Sequence, residues 1–555
     1  MATKMALPVL SHLALLSEPG GQHGEVFTRR WVVDLMLDMA GYAADKDLSR
    51  VRFVEPASGA GAFVLPALER LAASVRQHGG RLEDAIGSFR SFEIQAKNLP
   101  VLRQHMERVL QRGRFSARTI DRFLGDAVVH RDYLLTNHEP GSADVVIGNP
   151  PYVRLEDLGE TRHRAYKAVA PAMGGRADIF IGFFDVGLEA LAPDGVCVFI
   201  CADRWLRNSY GERLRKKVLD GYAVDTVLTI HDADAFESEV SAYPAITVIR
   251  RGAHGRVCLA DGDAQFSETQ ASRLLAWMSN GQKPLVESGV TADWLPTWFT
   301  TAESWPDASP GRIRWLEQLE ASFPLIEDTG VKVGIGVATG NDSVYVLKGD
   351  AIPDIEPERL LPLIVADDIR TGNFSPTGTI LVNPWEAGGL VALGDWPRFA
   401  EYMRTNEAEL RKRHTAKGTD DRWHKTIDRV NFDIIHKPKL LMQDMKAKTE
   451  PVFHPGGLYP HHNLYYLVSD AWDLETLGGL MLSAGVEAQV AAYCVKMRGK
   501  TLRFQAQYLR RVRVPAFDMI EPKVRETLAD AFRARDRAAA SAAALEAYGT
   551  PEIPA

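Results

Sequence analysis

The stretch Asp144-Val-Val-Ile-Gly-Asn149-Pro150-Pro151-Tyr152-Val153 joins a short apolar strand to a rigid polar loop. Two adjacent prolines fix two φ angles and remove two N–H donors, so the loop does not continue as a helix. The carbonyl groups of Asn149 and Pro150 can therefore be presented outward, beside the amide of Asn149 and the ring of Tyr152. An amide oxygen and a carbonyl oxygen accept the hydrogens of an exocyclic amino group, and a ring stacks on a flat ring. The loop thus predicts a site for a flat group that carries an NH2.

A second stretch, Val51-Arg-Phe-Val-Glu55-Pro-Ala57-Ser-Gly59-Ala-Gly61-Ala-Phe63, precedes a helical pattern of leucines. A predicted strand ends at an acid, and small residues then make a tight turn into a helix. Such a turn lets a ligand approach the backbone at the carboxyl end of a strand. The third glycine of a dinucleotide fingerprint is missing, because Phe63 and Val64 occupy its place. The loop therefore favours an adenosine-type cofactor without a pyrophosphate over NAD.

Together, the glycine loop and Asn149-Pro-Pro-Tyr152 resemble an adenine-N6 DNA methyltransferase that uses S-adenosylmethionine. The segment 24–37, with Thr28 inside it, lies before the glycine loop, and a long C-terminal region follows the Asn-Pro-Pro-Tyr loop. This order is that of the gamma-type, TaqI-like methyltransferases of restriction-modification systems. The chain departs from the family pattern at Arg29, where the family often has proline after the threonine.

The resemblance implies S-adenosylmethionine as the cofactor and assigns its parts to different residues. Thr28, Glu55 and the backbone around Ala57 would hold the methionine part. Glu93, at the end of the second strand, would accept the ribose hydroxyls, and Asp132 would meet the adenine amino group. Asp126 is an alternative to Asp132. The cofactor-binding residues expected in this way are Thr28, Glu55, Ala57, Gly59, Gly61, Glu93, Ile94, Asp132, Asn149 and Pro151.

The same resemblance implies catalysis by Asn149, Pro150 and Tyr152, without a covalent intermediate or a metal. Hydrogen bonds from adenine N6 to the Asn149 side chain and the Pro150 carbonyl would make that nitrogen a better nucleophile, chiefly by positioning and charge stabilisation. The target base has to be flipped out of the duplex. Tyr152 would be the first stacking surface and Phe236 the second, with Tyr243 as the alternative to Phe236.

The composition is that of a soluble globular protein. The chain has 555 residues, 46% hydrophobic and 25% charged, which allows two or three domains. We find no apolar run of membrane-spanning length and no signal-peptide pattern, and no Cys/His spacing typical of zinc. We therefore expect a cytoplasmic protein without a metal.

The charge distribution favours nucleic-acid contacts in the C-terminal half, although the formal net charge is -7. The run 496–513 contains seven Lys and Arg residues and no acid, and Lys and Arg also outnumber Asp and Glu in 411–448. Basic grooves follow phosphates. We expect double-stranded DNA as the partner, with phosphate contacts from Arg503, Arg510 and Arg511.

The periodicity predicts a doubly wound, Rossmann-like parallel sheet, because strands and helices alternate up to about residue 250. The pattern also indicates a short strand near 120–124 and an amphipathic helix over 24–40 that Thr28 caps. We expect three domains: a methyltransferase domain, a mixed α/β target-recognition (DNA-binding) domain and a helical tail, over residues 1–255, 256–515 and 516–555.

Three other functions remain as alternatives. A protein-glutamine N5 methyltransferase uses a similar Asn-Pro-Pro-Tyr loop on a primary amide, but those chains are usually shorter. An RNA adenine methyltransferase is a further enzyme class. A non-catalytic DNA-binding specificity subunit is disfavoured because Asn149 and Glu55 are both present. A separate restriction endonuclease is a possible partner.

Overall fold

The chain divides into two compact units, Met1–Pro310 and Gly311–Ala555. The computed structural model describes residues 27–237, 243–349, 352–416, 421–494 and 501–554. Among these residues, no helix has both the length and the apolar character needed to cross a bilayer. The first residues of the segment 24–37, and Lys496, Arg498 and Lys500 of the basic run, lie outside the described residues.

The described part of the first unit contains one large sheet with helices. Its strands are β1 (Phe53–Glu55), β2 (Phe89–Glu93), β3 (Val128–His130), β4 (Ala143–Gly148), β5 (Leu191–Ala202), β6 (Tyr222–Thr229), β7 (Pro244–Arg251), β8 (Val257–Gly262), β9 (Leu285–Glu287) and β10 (Val290–Leu295). Its helices are α1 (Arg30–Met39), α2 (Val64–Gln77), α3 (Leu99–Arg112), α4 (Ala117–Ala127), α5 (Glu160–Val169), α6 (Phe180–Ala190), α7 (Glu212–Leu219) and α8 (Glu268–Asn280).

The strand order in this sheet is β3-β2-β1-β4-β5-β7-β6-β8-β10-β9. Strands β1 to β5 run parallel to one another, whereas β7 is antiparallel to both β5 and β6. The Rossmann-like sheet of the sequence prediction is confirmed, but it is mixed rather than parallel. Neighbouring antiparallel strands can be joined without a crossover helix, and no helix is described between β6 and β7.

The sheet is covered by helices on both faces, as the alternation along β5 shows. Val196 and Val198 belong to the core cluster that contains α1 to α4. Phe199 points to the other face, where its ring centroid lies 4.9 Å from that of Phe184 in α6. Successive residues of a strand point to opposite faces, so the apolar run of β5 fits a strand buried on both sides.

Two local predictions were wrong. Residues 120–124 form part of helix α4, since Ile120, Phe123, Leu124 and Ala127 are buried at helical spacing, and the strand β3 follows. Helix α1 begins at Arg30 and its N-cap residue is Arg29, which makes no side-chain cap. Thr28 instead forms an antiparallel bridge with Phe236.

The first unit extends to Pro310, beyond the boundary expected at residue 255. Strands β8 to β10 continue the sheet. The fully buried Arg215 of α7 donates to the carbonyls of Ala302 and Asn208 at 2.8 and 2.9 Å, and also to those of Trp205 and Glu303. This arginine ties the segment 302–303 to the region after β5, which places the boundary later in the chain.

The second unit is mixed α/β, as expected for this region. Its strands are β11 (Val331–Ile335), β12 (Val346–Lys348), β13 (Leu360–Ile364), β14 (Thr379–Val382), β15 (Trp385–Glu386), β16 (Gly389–Leu390), β17 (Lys439–Gln443), β18 (Met445–Lys446), β19 (Val452–His454), β20 (Tyr459–Pro460), β21 (Leu464–Ser469) and β22 (Leu502–Arg503). Its helices are α9 (Pro310–Ser322), α10 (Asp342–Tyr345), α11 (Pro397–Thr405), α12 (Glu407–Leu410), α13 (Leu474–Leu482), α14 (Ala484–Tyr493), α15 (Ala506–Leu509), α16 (Pro522–Ala534) and α17 (Arg537–Tyr548).

Two four-stranded sheets organise the described part of this unit, in the orders β11-β21-β17-β19 and β12-β14-β13-β20. The region 516–555 is helical as predicted, through α16 and α17. It is not a separate tail, however, because both helices pack against α13 of the same unit.

We expect Arg215→Met to lower the free energy of unfolding of the protein by about 3 kcal/mol or more, because several buried carbonyls lose their charged donor. Urea unfolding followed by far-UV circular dichroism measures the effect. Arg213→Met, a substitution of an exposed arginine on the same helix, serves as the control. Equal unfolding midpoints for the two variants would contradict the role of Arg215.

Candidate functional site

The carboxyl ends of β1, β2 and β4 meet at one edge of the sheet, because these strands are parallel neighbours. Glu55 is the last residue of β1 and Glu93 the last of β2, and Asn149 directly follows β4. Ligands of open α/β sheets bind at this edge. The sheet therefore brings together polar residues that lie far apart in the sequence.

The glycine loop after β1 is fixed to the neighbouring strand. The backbone N–H and the hydroxyl of Ser58 both donate to the Phe92 carbonyl at 2.9 Å. Gly59 and Gly61 have φ values of +52° and +104°, in a region that side chains disfavour. A Cβ on Gly61 would also press on Leu102, whereas the space beside Gly59 is open. The loop therefore keeps its backbone exposed to a ligand at Gly59.

A cavity of about 1010 Å³, counting its open mouth, lies beside this loop. Most of the predicted cofactor residues line it, but Glu55 and Gly61 do not. The predicted residues in its wall are Thr28, Ala57, Gly59, Glu93, Ile94, Asp132, Asn149 and Pro151.

Two buried carboxylates lie in the cavity wall. Glu93 Oε1 accepts a hydrogen bond from the Gln95 N–H at 2.6 Å. Asp132 Oδ1 accepts from the Leu134 N–H at 3.0 Å and Oδ2 accepts from the Tyr166 hydroxyl at 2.7 Å. Burial raises the pKa of Asp132 above its usual range, although the Tyr166 bond acts in the opposite direction. Both carboxylates are therefore held in place by donors from their own surroundings.

Asp126, the alternative to Asp132, lies elsewhere. It accepts from the Gly87 N–H at 2.7 Å, and Gly87 precedes β2. Its contact is thus at the amino end of β2, away from the edge at which Glu93 lies. Of the two acids, Asp132 is the one in the cavity wall.

Glu55 is buried behind the glycine loop. Its Oε1 accepts from the Ala57 N–H at 3.0 Å, and no described group bonds to its Oε2. Burial raises the pKa of Glu55 to about 8; the Ala57 bond lowers it and the Glu93 charge adds to the rise. Gly148 packs on the same carboxylate, since a Cβ at position 148 would overlap Glu55 Oε1.

Asn149 and Thr28 are in contact across the cavity wall. Asn149 Nδ2 donates to Thr28 Oγ1 at 3.2 Å. With the amide oriented in this way, Oδ1 points away from Thr28. Thr28 therefore contributes to the orientation of the amide as well as to the cavity wall, a role that the sequence alone did not suggest.

Pro150 and Tyr152 follow Asn149 but are not part of the cavity wall. The Tyr152 hydroxyl points to the Ile200 carbonyl near the end of β5, at 3.5 Å. Burial raises the pKa of Tyr152 well above its usual range, and the Arg204 charge partly offsets this. The ring of Tyr152 thus lies beside β5, next to the cavity rather than inside it.

A polar cluster near Tyr152 was missed by the sequence analysis. The buried Asp178 accepts hydrogen bonds from Arg204 Nε at 3.1 Å and from the Tyr210 hydroxyl at 3.3 Å. Arg204 comes just after β5. A search for polar residues at the carboxyl ends of strands, which located Asn149, could therefore have located Arg204 too. Asp178 has no comparable signal, because it precedes a helix.

The two candidates for a second stacking ring have different surroundings. Phe236 is 8% exposed and belongs to the core cluster of the first unit. The ring of Tyr243 lies 5.0 Å from that of His231 in a T-shaped contact. Neither ring lines the cavity, so stacking on a base by either remains a prediction.

The chain is similar to known proteins over nearly its whole length. The family model of the Eco57I restriction-modification methylase matches residues 80–236. The Type II methyltransferase M.PaeR7I of Pseudomonas aeruginosa is 38% identical, over 98% of this chain and 95% of its own. M.BstVI of Geobacillus stearothermophilus is 36% identical, over 92% of each. The chain belongs to the Type II methyltransferases. The expected membership among restriction-modification methyltransferases is thereby confirmed.

A solved structure shares the fold of this methyltransferase. It is that of the Type IIL restriction-modification enzyme MmeI in complex with DNA, with a TM-score of 0.59 and 11% identity. The match covers 94% of this chain and 74% of that one.

The arginines predicted to contact phosphate have partners within the second unit of the methyltransferase. Arg503 makes two hydrogen bonds to Asp444, at 2.7 and 2.5 Å. Arg510 donates to Glu327 at 3.3 Å and to the Val333 carbonyl at 2.7 Å. The guanidinium of Arg511 lies 4.2 Å from the ring centre of Tyr493. Phosphate contacts by these three arginines therefore remain a prediction.

The raised pKa of Glu55 predicts a pH dependence of stability. Its pKa is about 8 in the folded protein and 4.5 in an ordinary environment. As the pH rises, the unfolded state therefore loses this proton first. The contribution of the protonated carboxyl to the free energy of unfolding is complete below about pH 4.5 and is lost as the pH rises through about 8. Relative to Glu55→Gln, we expect the wild type to lose a few kcal/mol of unfolding free energy between about pH 5 and 8.5.

Denaturant titrations at several pH values measure this difference. Glu268→Gln, at an exposed position, is the control and should follow the wild type. Parallel curves for the wild type and Glu55→Gln would show that the carboxyl is ionised throughout.

Proposed function

We propose that this methyltransferase transfers a methyl group from S-adenosylmethionine to N6 of an adenine that is flipped out of duplex DNA, within a restriction-modification system. The observation that carries the proposal is the position of Asn149-Pro-Pro-Tyr152. This loop leaves the carboxyl end of β4 beside a cavity whose wall contains Glu93 and Asp132. An amide, a carbonyl and a ring that suit an aminated base thus lie next to a pocket that suits an adenosine.

The cavity wall supports a particular assignment of the cofactor. Glu93 ends β2 and would accept the ribose hydroxyls, while Asp132 would accept from the adenine amino group. The exposed backbone at Ala57 and Gly59 would face the methionine part together with Thr28. All five residues line one cavity, and polar groups that converge in a concave site are typical of small-molecule binding.

Glu55 would act through the loop rather than by touching the cofactor. Its carboxyl binds the Ala57 N–H and packs against Gly148. It thereby links the glycine loop to the residue before Asn149. In this role Glu55 is a positioning residue for both loops.

At the base, the chain would supply two acceptors for the hydrogens of N6, the Asn149 side chain and the Pro150 carbonyl. Withdrawing the N6 lone pair from the ring makes the nitrogen more nucleophilic, and positive charge develops on it as the bond forms. S-adenosylmethionine supplies the sulfonium methyl group. The N6–CH3 bond would form as the S–CH3 bond broke, the bonding pair would stay on the sulfur as a thioether, and N6 would then release one proton to solvent. Positioning and charge stabilisation provide the rate gain.

The second unit would supply the contacts to DNA outside the target base, and Arg503, Arg510 and Arg511 are the proposed phosphate contacts. Tyr152 would stack on the flipped base, with Phe236 or Tyr243 as the second ring. We also propose a separate restriction endonuclease as a partner and the cytoplasm as the compartment. A protein-glutamine or RNA substrate is less well supported, because the relatives that match more than nine tenths of the chain are Type II methyltransferases.

We expect Asn149→Ala to lower the rate of methyl transfer to DNA at least ~100-fold, because one acceptor for N6 is lost in the transition state. Transfer of a labelled methyl group to duplex DNA gives the rate, and mass spectrometry of the digested nucleosides identifies the methylated base. Asn137→Ala, at a position outside the cavity wall, is the control. N6-methyladenine should be the product. Methyl-cytosine, or a full rate in a folded Asn149→Ala protein, would refute the proposal.

We expect Glu93→Ala to reduce the rise in melting temperature that S-adenosylmethionine produces, since a ligand that binds only the folded state stabilises it by an amount that grows with the logarithm of its affinity. The matched control is Asp126→Asn, which alters the acid that lies away from the cavity. Thermal shifts across a cofactor titration give both affinities. An undiminished shift in Glu93→Ala would place the ribose elsewhere, and a shift with NAD but not with S-adenosylmethionine would overturn the cofactor.

A further inference from the structure

The second unit contains a cluster of two histidines and an aspartate that the proposed methyl transfer does not use. His461 Nε2 lies 3.0 Å from His462 Nδ1 and 3.3 Å from Asp342 Oδ2. One donor atom from each residue lies within 4.8 Å of the other two. The three side chains therefore converge on a common point instead of forming a linear chain of contacts.

The backbone fixes the two segments that carry these residues. Val337 and His461 form a parallel bridge, and the His462 N–H donates to the Val337 carbonyl at 3.1 Å. The His461 N–H donates to the Ile364 carbonyl at 2.9 Å. Gly336 allows this close approach, because a Cβ there would overlap the backbone at His461. The convergence of the side chains is thus set by the main chain.

The aspartate is also oriented. The Thr339 hydroxyl donates to Asp342 Oδ1, which leaves Oδ2 directed at His461. Groups that bind the second oxygen of a carboxylate are a regular feature of metal sites, where they fix the orientation of the ligand. The side chain of Asp342 is 49% exposed, so an ion can reach the cluster from solvent.

Hydrogen bonds alone satisfy this geometry poorly. A ring nitrogen carries at most one hydrogen. If His461 Nε2 is protonated, one hydrogen is shared between Asp342 and His462. If His461 Nε2 instead accepts from His462, its lone pair is directed at His462 and it carries no hydrogen for the Asp342 carboxylate. A cation between the three atoms removes this conflict.

The second His/Asp cluster in the described residues differs in one decisive respect. Asp203, His231 and Asp307 also lie close together. Arg207, however, pairs with Asp203 at 2.8 Å and with Asp307 at 3.5 Å, so a positive charge already occupies that cluster. Near the cluster of Asp342, His461 and His462, the corresponding arginine is Arg413. It donates to the carbonyls of Thr339 and Trp423. Of these two clusters, the one at Asp342 is therefore the one suited to a metal ion.

We propose that Asp342, His461 and His462 bind a zinc ion. Two nitrogens bonded at about 2.05 Å to one tetrahedral zinc are about 3.3 Å apart, close to the 3.0 and 3.3 Å separations found here. Two imidazoles and a carboxylate are ligands that suit zinc, and three protein ligands leave a position for water. The ion would join the first residue of α10 to the turn after β20. His461 and His462 are adjacent but Asp342 lies far from them in the sequence, so the three residues form no zinc spacing motif, which explains the expectation of no metal.

The experiment measures zinc in the full-length protein purified without a polyhistidine tag. After loading with zinc and desalting, we expect about one equivalent per chain by elemental analysis. His462→Ala and Asp342→Asn should each bind zinc at least ~10-fold more weakly in competition with a chromogenic chelator. His436→Ala removes an exposed histidine of the same unit and should retain the metal.

Two further measurements make the result decisive. Zinc should raise the melting temperature of the wild type and of His436→Ala but not that of His462→Ala. Cobalt(II) in place of zinc should give the intense visible absorption of a tetrahedral site. A wild-type protein that retains no zinc and shows no thermal shift would overturn the proposal, as would full zinc retention by His462→Ala and Asp342→Asn. Asp342→Asn keeps the size of the side chain, and its circular dichroism verifies folding.

Discussion

The contact between the Glu55 carboxyl and the backbone at Gly148 is the constraint on which the site depends. Glu55 ends β1 and Gly148 ends β4, and the sheet makes these strands neighbours. The carboxyl fills the space that a side chain at 148 would need, and its Oε1 also holds the Ala57 N–H. The glycine loop and the loop of Asn149 are therefore positioned by one buried group. Burial raises the pKa of this carboxyl to about 8, because the interior disfavours its charged form.

Much of the site could be predicted from the sequence, because ligands bind where the carboxyl ends of parallel strands meet at one edge of the sheet. Glu93 and Asn149 were expected at strand ends and are found there. The rule fails where a residue reaches the site from outside the strand ends. Asp178 is an example, since it lies before a helix and meets Arg204 only in the fold. Phe236 shows a second limit, because an aromatic residue in a loop has the same sequence signal whether it is exposed or in the core.

The fold could be predicted from the sequence about as fully as the site could. Alternating strands and helices indicated the sheet, but the helical spacing of Ile120, Phe123 and Leu124 was mistaken for a strand because short apolar segments fit both patterns. The later boundary of the first unit fits strands β8 to β10, which continue the sheet, and Arg215, whose hydrogen bonds reach nearly ninety residues ahead to Ala302 and Glu303. No local pattern encodes such a contact. Long-range hydrogen bonds of single buried side chains thus limit what composition and periodicity can locate.

The arginines of the second unit show why a basic run alone does not identify a phosphate-binding surface. Arg503 is paired in two hydrogen bonds with Asp444, so a phosphate would have to compete with a carboxylate that is already well oriented. Arg510 shares its charge with Glu327. The guanidinium of Arg511 lies over the ring of Tyr493, in a cation–π contact that helps to hold it in position. For the proposed DNA contacts, the partners that each arginine already has in the fold therefore matter more than the number of arginines.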